Sequence, residues 1–339
     1  MKLLLIGGGQ FVGHHLLEAA LAAGHQVTVF NRGQSRTQWP AGVELRQGDR
    51  MGDLAALQHG EWDAVIDCCA YFPGQVRHLA QALRARVGRY VLISSVSAYA
   101  GFESANDEDS PLAQLPLGED DPEVQGQVLN GRTYGPLKAL CEQALLQSWG
   151  ADAALCIRPG LVVGPQDPTQ RFTYWPARVA RAGAGEAVLA PGLPQRELQF
   201  IDARDLAAFV LQALAQGRSG AVNVVTDPGA LSMQGLLDTL AQITACQPRW
   251  VWVDDAPLLA ADVKPWNDLP LWLPAQHEFA QFMQVRNQRA RAWGLQTRPV
   301  ADTARDTLAW WQGLAPEQQT FTKAGLAPER EQALLETLA

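Results

Sequence analysis

Six short apolar runs alternate with helix-like stretches through the first 165 residues: KLLLIGG, QVTVFNR, VELRQGD, DAVIDCCA, RYVLISS and AALCIRPG. Strands that are apolar almost throughout, and separated by helical patterns rather than tight turns, must be covered on both faces. This predicts an α/β architecture, a Rossmann-type doubly wound parallel sheet. The first unit is the clearest: a helical pattern from about Val12 to Ala23 ends at Gly24, and Val27 to Phe30 begin the next strand, the length of one βαβ unit. After Pro165 the order loosens. FTYWPARVARAGAG reads as a helix, LQFIDARDLAAFVLQAL as strand then helix, and the rest mixes helices with tryptophan-rich loops. The expected division is a doubly wound domain over 1–165, with 198–225 returning to it, and a smaller mixed part over 166–197 and 226–339.

Between the first strand and helix stands GGGQFVG, residues 7–13. A dinucleotide loop needs glycine for a tight turn, for close backbone approach to the pyrophosphate and for close helix packing, with the helix N-terminus facing the phosphates. Gly7, Gly8 and Gly13 suit those roles, Phe11 and Val12 open the helix, and Gln10 stands where such a loop often has glycine. Farther on, TYGPLKALCEQAL carries Tyr134 and Lys138 four residues apart, on one helix face. YVLISSVSAY places serines at the end of the fifth strand, where a parallel sheet displays its active-site edge.

Together these residues resemble the short-chain dehydrogenase/reductase superfamily, in the extended and atypical branch that includes the NAD-dependent epimerase/dehydratase family. The resemblance covers nearly the whole chain: the glycine loop, GDR after the third strand, SSVSAY, YGPLK, RPGLVVGP and QFIDARDLA occur in the family's order. It implies an NAD(P)(H)-dependent enzyme in which Tyr134 is the acid/base. Free tyrosine, with a pKa of about 10, is poorly poised for proton transfer near neutrality, and a lysine one helical turn away supplies the charge that favours tyrosinate. Lys138 would also grip the cofactor ribose. The family's active serine lies four residues before the tyrosine of S-S-x-x-x-Y, which selects Ser95 to hydrogen-bond the reacting oxygen and leaves Ser94 beside it.

After the second strand, where NAD enzymes place an acidic residue for the ribose 2′-hydroxyl, this chain has FNRG. Asn31 and Arg32 therefore join the expected cofactor contacts, and an arginine there suits a 2′-phosphate, favouring NADP(H) over NAD(H). Asp49 and Arg50 are expected near the adenine, with Cys69, Pro159 and Leu161 completing the cofactor site. Family members acting on nucleotide sugars commonly carry R-x-x-N-V-x-G-P and R-x-[FY]-I-H-V-x-D; here Leu161 and Leu198 stand at the asparagine and first arginine positions. Both polar diphosphate contacts are missing, which points to a small, non-nucleotide carbonyl or alcohol. Tyr71, Tyr99, Arg171, Phe172, Trp175 and Arg196 are the candidate substrate contacts, and the two arginines leave room for an anionic substrate.

The formal net charge of -8, without a basic run, argues against nucleic acid as a partner. No apolar run is long enough to cross a bilayer, the chain does not open like a signal peptide, and five cysteines without C-x-x-C spacing read as reduced, so a cytoplasmic location is expected. His14 and His15, read as facing solvent and core edge, have no partner histidine spacing, and no metal is expected. Residues 102–132 carry eight carboxylates against one arginine. They read as a solvated loop, with a lid over the pocket as the alternative. Trp310-Trp311 reads as core, with a subunit contact, and so a homodimer, as its alternative. Three functions follow: an oxidoreductase with net hydride transfer, an epimerase or dehydratase with transient hydride transfer, and an RNA-binding protein on the same fold. The last rests on the likeness of the loop and FNRG to atypical members related to chloroplast stem-loop-binding proteins. An intact Ser95, Tyr134 and Lys138 and the acidic balance argue against it.

Overall fold

A computed structural model of the protein describes residues 1–34, 36, 38–115, 129–275 and 278–338. Seven parallel strands form the central sheet: β1 (Lys2–Ile6), β2 (Gln26–Asn31), β3 (Val43–Gln47), β4 (Trp62–Asp67), β5 (Val87–Ile93), β6 (Ala154–Pro159) and, after an excursion, β10 (Gly220–Val224). Their spatial order is β3-β2-β1-β4-β5-β6-β10, so the direction of winding reverses between β1 and β4. In doubly wound sheets the crevice outside the carboxyl ends of such neighbouring strands is where ligands bind.

Side-chain alternation along each strand divides the core in two. Leu3, Leu5, Val27, Val29, Ile66 and Ile157 point to one face and meet α1 (Phe11–Ala22), while Leu4, Ile6, Phe30, Val65, Tyr90 and Cys156 point to the other. That second face is covered by α2 (Pro73–Leu83) and α3 (Tyr134–Trp149). Full burial of each such aliphatic side chain contributes about 1.5–3 kcal/mol, which is why the runs could be read as strands at all. α1 stops where expected, with Gly24 in the left-handed region at φ 74° and its N–H donating to the Leu21 carbonyl at 2.9 Å.

The sequence pattern yields six strands; the seventh, β10, pairs with β6 in register from Gly220–Leu155 to Val224–Pro159. Its apolar content is too short to stand out alone. The chain leaves the sheet through β7 (Leu161–Val163), α4 (Arg171–Ala180) and β8 (Ala187–Pro191), then returns through β9 (Phe200–Asp202) and α5 (Ala203–Ala215), which packs beside α1. β9 pairs with β7 and β8 with β11 (Arg249–Val253), two small parallel ladders beside the main sheet. A second core of Phe172, Tyr174, Trp175, Leu236, Leu237 and Trp272 gathers α4, α6 (Met233–Thr244) and the chain's last third.

The acidic segment after Phe102 is not wholly a free loop. Leu112 bridges Tyr99, and Glu108 accepts from the Asn223 N–H at 2.9 Å, tying the segment's first part to the end of the sheet. Its middle, 116–128, where a lid would be formed, lies outside the described residues. Among the described residues no helix is long and apolar enough to cross a membrane. Trp311 is buried and stacks on Phe321 at 4.5 Å, while Trp310 is half-buried.

Candidate active site

The loop after β1 has the shape that its glycines require. Gly7 and Gly8 take φ of 110° and 78°, and a Cβ on Gly13 would lie 2.6 Å from the Gly8 nitrogen, so α1 approaches the loop as closely as only glycine permits. Gln10 precedes α1 in extended conformation without capping it through its side chain. The first-turn amides of Phe11, Val12 and Gly13 therefore have no intrahelical acceptor and face the N-terminal end of the helix. Phe11 itself carries φ 36°, uncommon for a bulky residue, while the extended Gln10 makes no demand for glycine. Asn31 braces the cradle by donating to the Gly7 carbonyl at 3.1 Å and accepting from the Gly33 N–H at 2.8 Å. Cys69 lies alongside, its Sγ 3.7 Å from where a Gly7 Cβ would be. A cradle that side chains would fill, with free helix amides at its floor, fits the pyrophosphate of a dinucleotide.

Lys138 is the centre of the second group. It is buried between the ends of β4 and β5, donating to the carbonyls of Ala70 and Ile93 at 2.9 Å each, with its Nζ 4.8 Å from the Tyr71 ring centre and 5.9 Å from that of Tyr134. Burial works against the ammonium and the two facing phenols work for it; the balance holds Lys138 above the usual lysine range. Burial raises the Tyr71 phenol, and the Lys138 charge only partly opposes it. Ser95 lies just beyond the end of β5 and caps a short turn, its Oγ accepting from the Ser97 N–H at 3.1 Å. Gly135 brings the helix onto that turn, since a Cβ there would lie 2.1 Å from the Ser97 carbonyl oxygen. Ser95 on this turn and Tyr134 and Lys138 on α3 thus stand at the carboxyl edge of the sheet, beside the glycine loop.

Behind this edge are two polar clusters that sequence reasoning missed or misassigned. Arg50, expected near the adenine, is buried in a bidentate pair with Asp67 at 2.6 and 2.8 Å, and Tyr90 donates to the same carboxylate at 2.6 Å. Burial alone would raise the Asp67 carboxyl; the Arg50 charge, with bonds from Arg50, Tyr90 and the Cys69 N–H, more than offsets it and holds Asp67 below the usual carboxylate range. Asp49 stays exposed, accepting from the Met51 N–H. Ser94, expected beside the cofactor, turns inward and donates to Glu142. Glu142 is paired with Arg158 at 2.7 Å; Arg158 reaches the Tyr99 hydroxyl at 3.1 Å, and Tyr99 donates to Asn223 at 2.7 Å. Tyr99 is therefore a strut of this network rather than a substrate contact. The signal for Glu142 was present: Tyr134, Lys138 and Glu142 follow one another at intervals of four residues.

Other expected contacts are also relocated. Phe172 and Trp175 are fully buried in the second core, with the Trp175 indole N–H on the Pro270 carbonyl at 2.7 Å, so neither lines a pocket. Arg196 is committed to Asp255 at 2.8 Å. Pro159 ends β6 and is buried, and Leu161 packs into the second core. Arg32 is exposed, its carbonyl accepting from Gln47 at 3.0 Å. Arg171 is half-buried and stacks on Trp266. His14 and His15 are both buried rather than facing solvent. With Glu18 they are the one group among the described residues spaced to hold a metal, but Arg36 and Glu18 occupy the His14 ring nitrogens at 2.9 and 3.1 Å, and His15 is engaged by the Pro165 carbonyl.

Residues 3–225 match the model of the NAD dependent epimerase/dehydratase family. The chain belongs to this family. It is 29% identical over 263 residues to the 2-alkyl-3-oxoalkanoate reductase of Stenotrophomonas maltophilia (strain K279a), a match spanning 71% of this chain and 74% of that one. It is 31% identical over 235 residues to the 2'-dehydrokanamycin reductase of Streptomyces kanamyceticus, where the match spans 66% of this chain and 61% of the relative's length. The fold is shared with UDP-glucuronic acid 4-epimerase from Bacillus cereus, solved with NAD, at a TM-score of 0.66 and 16% identity over 93% of this chain and 99% of that one. The protein is thus an enzyme of an NAD-dependent oxidoreductase and epimerase family.

Proposed function

We propose that this family member is a reductase that uses NADP(H) in preference to NAD(H) on a small, non-nucleotide carbonyl compound, or runs the reverse reaction on the alcohol. One observation carries the choice of substrate class. The two positions at which nucleotide-sugar enzymes of the family hold polar diphosphate contacts are Leu161 and Leu198, both buried in the second core with 8% and 1% exposure. Neither can offer a hydrogen bond to a diphosphate. That two curated relatives carry reductase names supports net reduction. The exposed Arg32 at the end of β2, where an acidic residue would favour NAD, supports the 2′-phosphate.

A bound reduced nicotinamide nucleotide supplies the hydride. The chain's own part is to hold the carbonyl oxygen and deliver a proton to it: Ser95 Oγ–H orients the oxygen, Tyr134 gives up its phenolic proton, and the Lys138 ammonium stabilises the phenolate left behind. Epimerisation is the second reading, favoured by the shared fold of the Bacillus cereus enzyme. Incubation with NADPH or NADH and a panel of 3-oxo acids, ketones and UDP-sugars separates the two. Steady loss of NADPH absorbance with a carbonyl is expected; conversion of a UDP-sugar without net nucleotide consumption would establish the epimerase instead. Tyr134→Phe should abolish turnover while nucleotide binding, measured by calorimetry, stays within a few fold. Near wild-type turnover in that variant would remove Tyr134 from the chemistry.

A further inference from the structure

Among the buried and half-buried arginines of the second part of the chain, Arg178 and Arg196 are held in ion pairs. Arg178 pairs with Glu331 at 2.7 Å and Glu186 at 2.9 Å, and Arg196 pairs with Asp255 at 2.8 Å. Arg171 differs. Among the described residues its guanidinium makes no ion pair and no hydrogen bond, and its Nε is buried without a partner. The Trp266 ring lies beside it, 5.5 Å from the guanidinium carbon to the ring centre. Asp167, the nearest acidic influence, is occupied by the Thr169 N–H and hydroxyl at 2.8 and 2.9 Å. Burial lowers the Arg171 pKa, and Asp167 opposes this only in part. A buried guanidinium N–H without an acceptor is costly unless a ligand supplies one.

The place of this arginine in the fold links it to the chemistry. Trp266, held in the left-handed region at φ 68°, packs edge-on against Phe282 at 5.4 Å; Phe282 meets Phe102 at 4.9 Å, and Phe102 meets Tyr99 at 6.5 Å. Val96, next to Ser95, belongs to the same cluster as Phe102 and Tyr99, with Phe282 packed against it. A continuous chain of packed rings therefore links the serine turn to Trp266 and Arg171. α4 itself is fixed at its start by Gln170, whose side chain donates to the Thr320 carbonyl and accepts from the N–H groups of Thr322 and Lys323 at 2.8–3.0 Å.

We propose that Arg171 is the anion-binding residue of the substrate site and that the substrate is an oxo acid, its carboxylate on Arg171 and its apolar portion along Trp266 and Phe282. A single uncommitted guanidinium suits a monoanion; a diphosphate carries more charge than this site offers to match. The inference rests on the reductase reading for its carbonyl, but the anion site can be tested apart from turnover.

The experiment compares wild type, Arg171→Gln and Arg171→Lys on medium-chain oxo acids and their methyl esters, and measures decanoate and UDP binding by calorimetry in the presence of NADPH. Wild type should prefer the acid. In Arg171→Gln the acid-to-ester ratio of kcat/KM should fall about 30-fold, the range of one charge-assisted hydrogen bond, with partial recovery in Arg171→Lys. Decanoate binding should be lost with it, while near-ultraviolet circular dichroism shows the aromatic core unchanged. Equal use of acid and ester by wild type, or an equal loss of both in Arg171→Gln, overturns the proposal and leaves the reductase reading standing. Arg171-dependent binding of UDP but not of decanoate overturns it in favour of a diphosphate. If no carbonyl is reduced yet decanoate binds to wild type and not to Arg171→Gln, the anion site stands and the reductase reading falls.

Discussion

Gly135 offers a perturbation whose size follows from the coordinates. It directly follows Tyr134 at the start of α3, and an alanine Cβ would lie 2.1 Å from the Ser97 carbonyl oxygen and 3.1 Å from its carbon. Restoring an ordinary carbon–oxygen contact of about 3.3 Å requires the helix and the serine turn to part by roughly an ångström. The turn cannot yield without cost, because the Ser97 N–H is held by Ser95 Oγ and the Tyr99 N–H by the Val96 carbonyl, each at 3.1 Å. Gly135→Ala should therefore separate Tyr134 from Ser95, lower kcat by on the order of 10²-fold, and destabilise the fold by about 1–3 kcal/mol. Turnover should fall while nucleotide binding on the glycine loop, which α3 does not form, stays intact; calorimetry with NADPH reads this directly. Gly74→Ala is the control: it lies in the first turn of α2 with nothing within 4 Å of its added Cβ, and should be neutral or slightly stabilising. If Gly135→Ala turns over like wild type at an unchanged melting temperature, close contact between α3 and the serine turn is not what sets the site.

Two further outcomes follow from charged residues. If Arg32 meets a 2′-phosphate, Arg32→Ala should weaken NADPH by about 1.5–3 kcal/mol and leave NADH nearly unchanged, as titration of both nucleotides would show; equal losses would make it a turn residue. Arg50→Met leaves Asp67 buried without its cation and should cost about 3–5 kcal/mol in denaturant unfolding at neutral pH. Because Asp67 is held below its ordinary range in the folded state, its contribution is present above the unfolded carboxylate pKa of about 3.9 and is lost as pH falls through the lower folded value. The gap between wild type and Arg50→Met should therefore narrow in acid; a gap that is constant with pH would show that Asp67 is not the group responsible.

What could be read from the sequence was what repeats at short range. The strands announced themselves by apolar runs, the cradle by glycines within seven residues, and Tyr134 with Lys138 by a spacing that a helix converts directly into proximity. The same rule, applied to α4, would have corrected a misassignment. Phe172, Trp175 and Val179 fall at intervals of three and four, the stripe of a helix facing a core, and all three are fully buried. Aromatic character suggested a pocket; periodicity identified packing.

The arginines mark where local pattern stops being informative. Whether an arginine is a ligand contact or a strut depends on whether a carboxylate from elsewhere in the chain has reached it. Asp67 comes to Arg50 from 17 residues away across β4, Glu142 to Arg158 from 16 residues away across a helix and a strand, and Asp255 to Arg196 from 59 residues away. None of these partners shares a motif with its arginine, so the sequence left Arg50, Arg171 and Arg196 looking alike as candidate binding residues. Only the fold separates them, by giving two of the three a carboxylate. Arg171 remains a binding candidate for a reason that its sequence neighbourhood could not express: among the described residues, the tertiary structure has brought it an aromatic ring and no ion-pair partner.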